Sequence, residues 1–292
     1  MRIVTLTLTL LLLAVSNICG SGVFPLDNPS KLIIGVNGTY TIQDDETLIE
    51  LARKYDVGFN EITAANSNSD PWVPGKGNNI IIPASWLLPE VLDDGLIINL
   101  AEMRLYYFFI LNNRKYVATY PIGIGREGLN TPTGIFRITA KVKDPVWYVP
   151  DNIREENPEL PAFVPPGPDN PLGGYWLQLS LNGYGIHGTN RPYGIGRRVS
   201  HGCIRLYPED IKTLFEFIRP GTMVKILSEP VKTGMHDNKV YIEIHRPGIE
   251  DPELMMLAVK NLSRKRLLKY VDTQLMIHAI KSATGLPAVI SR

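Results

Sequence analysis

The middle of this chain is written in short apolar runs, Leu96 to Leu100, Arg104 to Phe109 and Tyr116 to Ile124, rich in Ile, Tyr and Phe. Runs this short fit strands better than helices, and Asn112–Asn113 between the last two is a hairpin signal. The 23 prolines and 25 glycines recur too often for a helical bundle, so residues 95–229 are expected to form a mainly β domain with α+β elements. Its longest irregular stretch, 141–174, contains Pro145, Pro150, Pro158, Pro161, Pro165, Pro166, Pro168 and Pro171, and loops of this kind serve as lids or binding walls. Trp147, Tyr148 and Phe163 within it either line a cleft or pack the loop onto the sheet. Beyond it, Pro208 to Ile218 reads as a helix with proline in its first turn and acids near its positive end, and Val224 to Leu227 as a strand closing the sheet.

At the N-terminus, Met1-Arg2 precedes an apolar run from Ile3 to Val15 that is short for a bilayer span. Residues 1–22 are read as a secretory signal peptide, with Gly20, Ser21 and Gly22 as the cleavage region. Cys19 follows Ile18, where a lipid-attachment site carries a small residue, which speaks against lipidation. An exported chain keeping Cys203 alone has no internal disulfide to form, and its thiol is marked as reactive. The formal charge of +1 offers no case for a nucleic-acid partner.

Residues 23–39 read as turn-rich and extended, and 84–94 as a linker. Between them, over 39–84, the order is strand, helix, helix, strand. Tyr40-Thr-Ile opens the unit and Ile80 to Pro83 closes it; Thr47 caps a helix carrying Leu48, Leu51, Ala52 and Tyr55, and Phe59 to Asn66 forms a second. Residues 230–292 are expected as a partly helical extension of unassigned role: a strand from Val240 to His245, then a helix from Asp251-Pro252 with Leu254, Leu257 and Ala258 on one face. The basic patch from Arg264 to Arg266 reads as a solvated face.

The chemistry concentrates in residues 187–205, where Cys203 is flanked by His187, His201, Arg197, Arg198 and Arg205. A thiol is a nucleophile only as thiolate, which needs a base or cations to bring its pKa down. Gly202 lets the backbone approach a substrate, and amides at such a turn can hold an oxyanion. His201, two residues before Cys203, shares its side if the segment is extended, so geometry alone leaves both imidazoles open as the base. His187, His201 and Cys203 are also zinc-ligand types, but a fourth ligand and the usual short spacings are missing.

The pattern HGTN from His187, thirteen intervening residues between the two histidines, and then SHGCIR resembles the signature of L,D-transpeptidases with a YkuD-type catalytic domain. The likeness continues through Tyr120–Phe136 (YPIGIGREGLNTPTGIF) and Pro166–Leu177 (PGPDNPLGGYWL). It implies a β-sandwich-like domain over 95–229, Cys203 as nucleophile, and His187 as base, oriented by a backbone carbonyl. It further implies the amides of Gly202 and Cys203 as oxyanion donors, with His201, Ser200, Arg205 and Gly188 supporting the loop or the acidic stem peptide, and no metal or cofactor. The implied reaction is attack on a peptidoglycan stem tetrapeptide, release of D-alanine, and transfer of the thioester to an amine. A second stem gives a 3-3 cross-link, a protein lysine attaches an outer-membrane lipoprotein, and water gives a carboxypeptidase. Residues 39–84 resemble a LysM module, which implies binding of N-acetylglucosamine-containing glycan and a place in the periplasm at the wall. A wall-binding protein without catalysis is the competing class, and the intact set of His187, Ser200, Gly202 and Cys203 speaks against it.

Overall fold

The computed structural model describes residues 21–28, 30–89 and 91–292. Cys19 and the signal peptide expected at the N-terminus fall outside the described residues, apart from Ser21 and Gly22; Gly22 opens a strand, Gly22–Pro25, paired with Arg114–Pro121.

The chain is mainly β. Its principal sheet has nine strands, in the spatial order Gly22–Pro25, Arg114–Pro121, Arg104–Leu111, Gly95–Asn99, Met223–Leu227, Gly134–Lys143, Tyr175–Leu179, Gly185–His187 and Ile204–Arg205. Asn112 and Asn113 make the expected hairpin, both at positive φ (50° and 60°), as a two-residue type I′ turn requires. Met223–Leu227 does not close the sheet as expected. It runs through the centre, parallel to Gly95–Asn99 and antiparallel to Gly134–Lys143, so that both of its backbone edges are hydrogen-bonded while alternate residues, Val224 and Ile226, face the core.

Gly134–Lys143 pairs with Met223–Leu227 through its first residues and with Tyr175–Leu179 through its last, with a register shift between Ile138 and Ala140. That irregularity bends the strand, and the continuous sheet curls over one core. Leu96, Ile98, Leu105 and Ile226 from one half meet Leu177, Leu179, Ile186 and Ile204 from the other, sealed by Ile211 and Leu214 of the helix Pro208–Phe217.

The strand–helix–helix–strand order over 39–84 is present as Gly38–Thr41, Leu48–Tyr55, Phe59–Ala65 and Asn79–Ile82, the outer strands pairing antiparallel. Thr47 caps the first helix reciprocally: its hydroxyl accepts from the Glu50 amide (3.3 Å), and its own amide donates to the Glu50 carboxylate (2.9 Å). Leu48, Leu51, Val57, Ile62, Ile80 and Ile82 form a separate small core. The stretch read as a linker instead contains a buried strand, Ser85–Leu87, paired with Ile33–Gly35; Trp86 and Leu87 leave too much apolar surface for an exposed connection.

The C-terminal region forms a three-stranded sheet, Val231–His236, Lys239–Ile244 and Ala288–Val289, packed by helices Asp251–Arg264 and Thr273–Ser282. Leu254, Ala258 and Leu262 make the buried face of the first helix, while Leu257 is only partly covered. Among the described residues no helix is long and apolar enough to cross a membrane.

Candidate active site

His187 ends the strand Gly185–His187, and Cys203 immediately precedes Ile204–Arg205, which lies beside it in parallel register. Ile186 faces Ile204 and His187 faces Arg205, so Cys203 sits beside Gly185 on the neighbouring strand. The sixteen residues from Gly188 to Cys203 leave the sheet and return to its edge, which is how a signature split in sequence becomes one site.

The turn holding Cys203 is built from small polar bonds. Gly202 has φ +108°, and a Cβ there would lie 2.7 Å from the Tyr184 ring, so only glycine fits. The buried Ser200 hydroxyl donates to the Cys203 carbonyl (2.5 Å) and accepts from the Gly202 amide (3.1 Å). Thr131 pins the turn from below, donating to the Gly202 carbonyl (2.9 Å) and accepting from the Gly125 amide (3.0 Å). Cys203 is the free cysteine among the described residues, and its Sγ lies 3.6 Å from the Gly183 carbonyl.

His187 is buried against Trp176, whose ring stacks on the imidazole at 5.6 Å and 29°. A Cβ on Gly185 would fall 2.4 Å from that indole, so the glycine lets Trp176 lie flat over the strand. Burial, then repulsion from Arg205, pushes the His187 pKa down to about 3 against the favourable backbone groups of Gly188 and Leu172. Burial also raises the Cys203 thiol, opposed by the Gly185 backbone and by Arg205. The resting pair at neutral pH is therefore a neutral imidazole and a neutral thiol. Nδ1 of His187 is buried with no hydrogen-bond partner among the described residues.

His201 is not brought to the thiol. The positive φ of Gly202 breaks the extended alternation that would align residues 201 and 203, and the ring turns toward the proline-rich loop. Its Nε2 lies 3.0 Å from Glu156 Oε2 and 3.3 Å from Arg126 Nη2, and Arg126 pairs with Glu156 at 2.5 Å. Glu156 ends the helix Asp151–Glu156, so this cluster ties the loop 141–174 to the segment preceding Cys203. Tyr148 and Phe163 of that loop are exposed and face each other, with Trp147 half-buried. The zinc reading loses its geometry with His201. Among the described residues the one trio placed to share an ion is Glu102, Glu243 and His245, and the Lys232 ammonium already lies 2.6 Å from each of the two carboxylates.

Gly188 sits under the site, where a Cβ would lie 3.1 Å from Ile211. Arg205 is partly buried, with its Nε sealed from solvent and unpartnered among the described residues. Trp176, Thr131 and Arg126 lie inside the motif segments without standing out there as site residues; Glu156 and Tyr184 carry no sequence signal.

The small N-terminal unit docks on the signature itself. The amides of Phe59 and Asn60 donate to the carbonyls of Ile195 (3.3 Å) and Gly196 (3.2 Å), and the Arg197 guanidinium lies 5.7 Å over the Phe59 ring.

A family model described as the L,D-transpeptidase catalytic domain (YkuD) matches residues 93–226. The probable L,D-transpeptidase YcfS of Escherichia coli is 37% identical over 284 residues, covering 92% of this chain and 88% of the relative. The probable L,D-transpeptidase YbiS of the same species is 37% identical over 279 residues, covering 90% of each. The probable L,D-transpeptidase ErfK/SrfK of Salmonella typhimurium is 34% identical over 306 residues, covering 100% of this chain and 98% of the relative. With His187 at the end of one strand and Cys203 at the head of its parallel neighbour in a curled β-sheet, the chain belongs to the YkuD family of L,D-transpeptidases.

Proposed function

We propose that the protein is a cysteine L,D-transpeptidase of the bacterial cell wall that works through a thioester on Cys203. The observation that carries this reading is the placement of Cys203, the free thiol among the described residues, at the head of the strand adjoining the one that ends in the buried, uncharged His187. His187 takes the thiol proton as Sγ attacks the carbonyl between the third residue and the D-alanine of a stem tetrapeptide. The S–C bond forms, the C–N bond breaks, and the same proton passes to the leaving amine. An acceptor amine then attacks the thioester, gives its proton to His187 and restores the thiol. The Cys203 amide has no acceptor among the described residues and supplies the oxyanion donor; the Gly202 amide, engaged by Ser200, joins only if that bond opens.

In this reading residues 95–229 are the catalytic domain and 39–84 a LysM module. The groove between its loops, lined by Asp44, Glu46, Trp72, Val73 and Lys76, suits a sugar chain: an aromatic face with polar groups around it. Residues 230–292 brace the sheet through Lys232. The acceptor is another stem or a lipoprotein lysine, and the setting is the periplasm after removal of the leader.

The purified protein is incubated with a disaccharide tetrapeptide, and released D-alanine and muropeptide products are measured. Wild type releases D-alanine and forms dimers, and Cys203→Ala does neither. Persistent release by Cys203→Ala removes Cys203 from the nucleophile's role, and tripeptide without dimers makes the protein a carboxypeptidase. Binding to wall glycan with no release from folded wild type supports the non-catalytic reading.

A further inference from the structure

Arg205 stands out among the cations of this molecule. Its Nε is buried, and among the described residues its side chain meets no carboxylate and no carbonyl. Arg205 is only partly buried, so the rest of its guanidinium stays hydrated, but an Nε–H shut from water with no acceptor among the described residues is a donor that an incoming anion can satisfy. The site adds a second cation: Arg191, exposed on the loop after His187, lies near enough for its charge to weigh on Arg205. Gly123 lets that loop close in, since a Cβ there would sit 2.8 Å from the Gly194 carbonyl and 3.5 Å from Arg205 Cβ.

The position of Arg205 relative to the reacting groups selects the anion. It faces His187 across parallel strands about 4.8 Å apart and lies two residues, roughly 6.6 Å of strand, beyond Cys203. In the proposed reaction His187 protonates the leaving amine. The carboxylate of a terminal D-amino acid is one carbon from that amine, so it falls on the side of His187 where Arg205 stands. The other carboxylates of a stem peptide lie on the acyl side of the scissile bond, toward Cys203 and away from Arg205.

We propose that Arg205, assisted by Arg191, is a specificity-determining residue that binds the free C-terminal carboxylate of the leaving D-alanine. The site thereby selects donors that end one residue after the scissile bond. This rests on the acyl-transfer reading above and adds the group by which the donor is measured. A bidentate guanidinium–carboxylate pair fixes direction as well as charge, and Lys retains the charge without the fork.

The test uses two donors, a disaccharide tetrapeptide with a free D-alanine carboxylate and the same molecule ending in D-alanine carboxamide, with release of D-alanine or D-alaninamide followed. Wild type is expected to prefer the acid about ten- to a hundredfold in kcat/KM, the range for one charge-assisted pair. Arg205→Met is expected to lose that preference mainly through KM for the acid, Arg205→Lys to keep part of it, and the exposed Arg191→Ala to reduce it. Equal handling of acid and amide by wild type overturns the proposal, as does a loss in the variants that is the same for both donors. No release from either donor by folded wild type overturns the underlying reaction instead, and this proposal with it.

Discussion

Two arginines, one fully buried and the other partly buried, are treated in opposite ways. Arg104, between the principal sheet and the small N-terminal unit, is fully buried and fully answered. Its Nε and Nη2 donate to the two oxygens of Glu61 (2.8 and 2.7 Å), Nη1 donates to Thr119 (3.1 Å), and the guanidinium lies 3.9 Å over the Trp86 ring. Burial pulls its pKa down and Glu61 more than offsets this, leaving it raised. Arg205 has no such answer, and burial followed by Arg191 leaves its pKa lowered. Lys232 sides with Arg104, held between Glu102 and Glu243. Where cations join the parts of the fold they are neutralised within the chain. At the site one is left over.

The largest effect should come from spoiling the paired arginine. Glu61→Ala strands Arg104 and is expected to cost about 3–5 kcal/mol in urea unfolding, while the Cys203 alkylation rate in the folded fraction stays as in wild type. A cost below about 1 kcal/mol would mean the pair contributes no more than a surface contact.

Acid stability of the site comes next. The His187 pKa of about 3 lies below the ordinary 6.5, so the unfolded chain takes up a proton as pH falls below 6.5 and the native state does not. This contribution is intact above 6.5 and is lost as pH falls toward 3, at up to about 1.4 kcal/mol per pH unit. His187→Gln should flatten the acid limb of a stability–pH curve by that slope; an unchanged limb would place the imidazole in contact with water.

The smallest stability change belongs to the unpaired arginine. Arg205→Met should shift stability by less than about 1 kcal/mol, or raise it, because no partner is stranded. In the same variant an NMR titration should show the His187 pKa moving up from about 3, since a repelling charge is gone. Destabilisation comparable to Glu61→Ala would erase the contrast between the two arginines.

What could be read from the sequence was local. Thr47 as a cap, Asn112–Asn113 as a hairpin turn and the helix from Pro208 act through neighbours a few positions away, and each stands where its spacing placed it. What could not be read depends on chain returning from a distance. The parallel register of His187 with Arg205 arises only after sixteen residues leave the sheet, and Glu156 meets His201 across 45 positions. The central place of Met223–Leu227 depends on a crossover to Gly95–Asn99, and strand order leaves no periodic mark. Ser85–Leu87 was too short to show alternation, although its Trp and Leu residues signalled burial. The extended alternation that would align His201 with Cys203 is broken at Gly202, whose φ of +108° leaves no mark in the residues themselves.

The most direct test of the account is the intact mass of the purified protein after brief exposure to disaccharide tetrapeptide, with Cys203→Ala alongside. The account predicts an adduct equal to the donor less D-alanine, on wild type only, which hydroxylamine removes as it does a thioester. An adduct that persists in Cys203→Ala, or D-alanine release with no Cys203-dependent acyl-enzyme even under rapid quench, would contradict it.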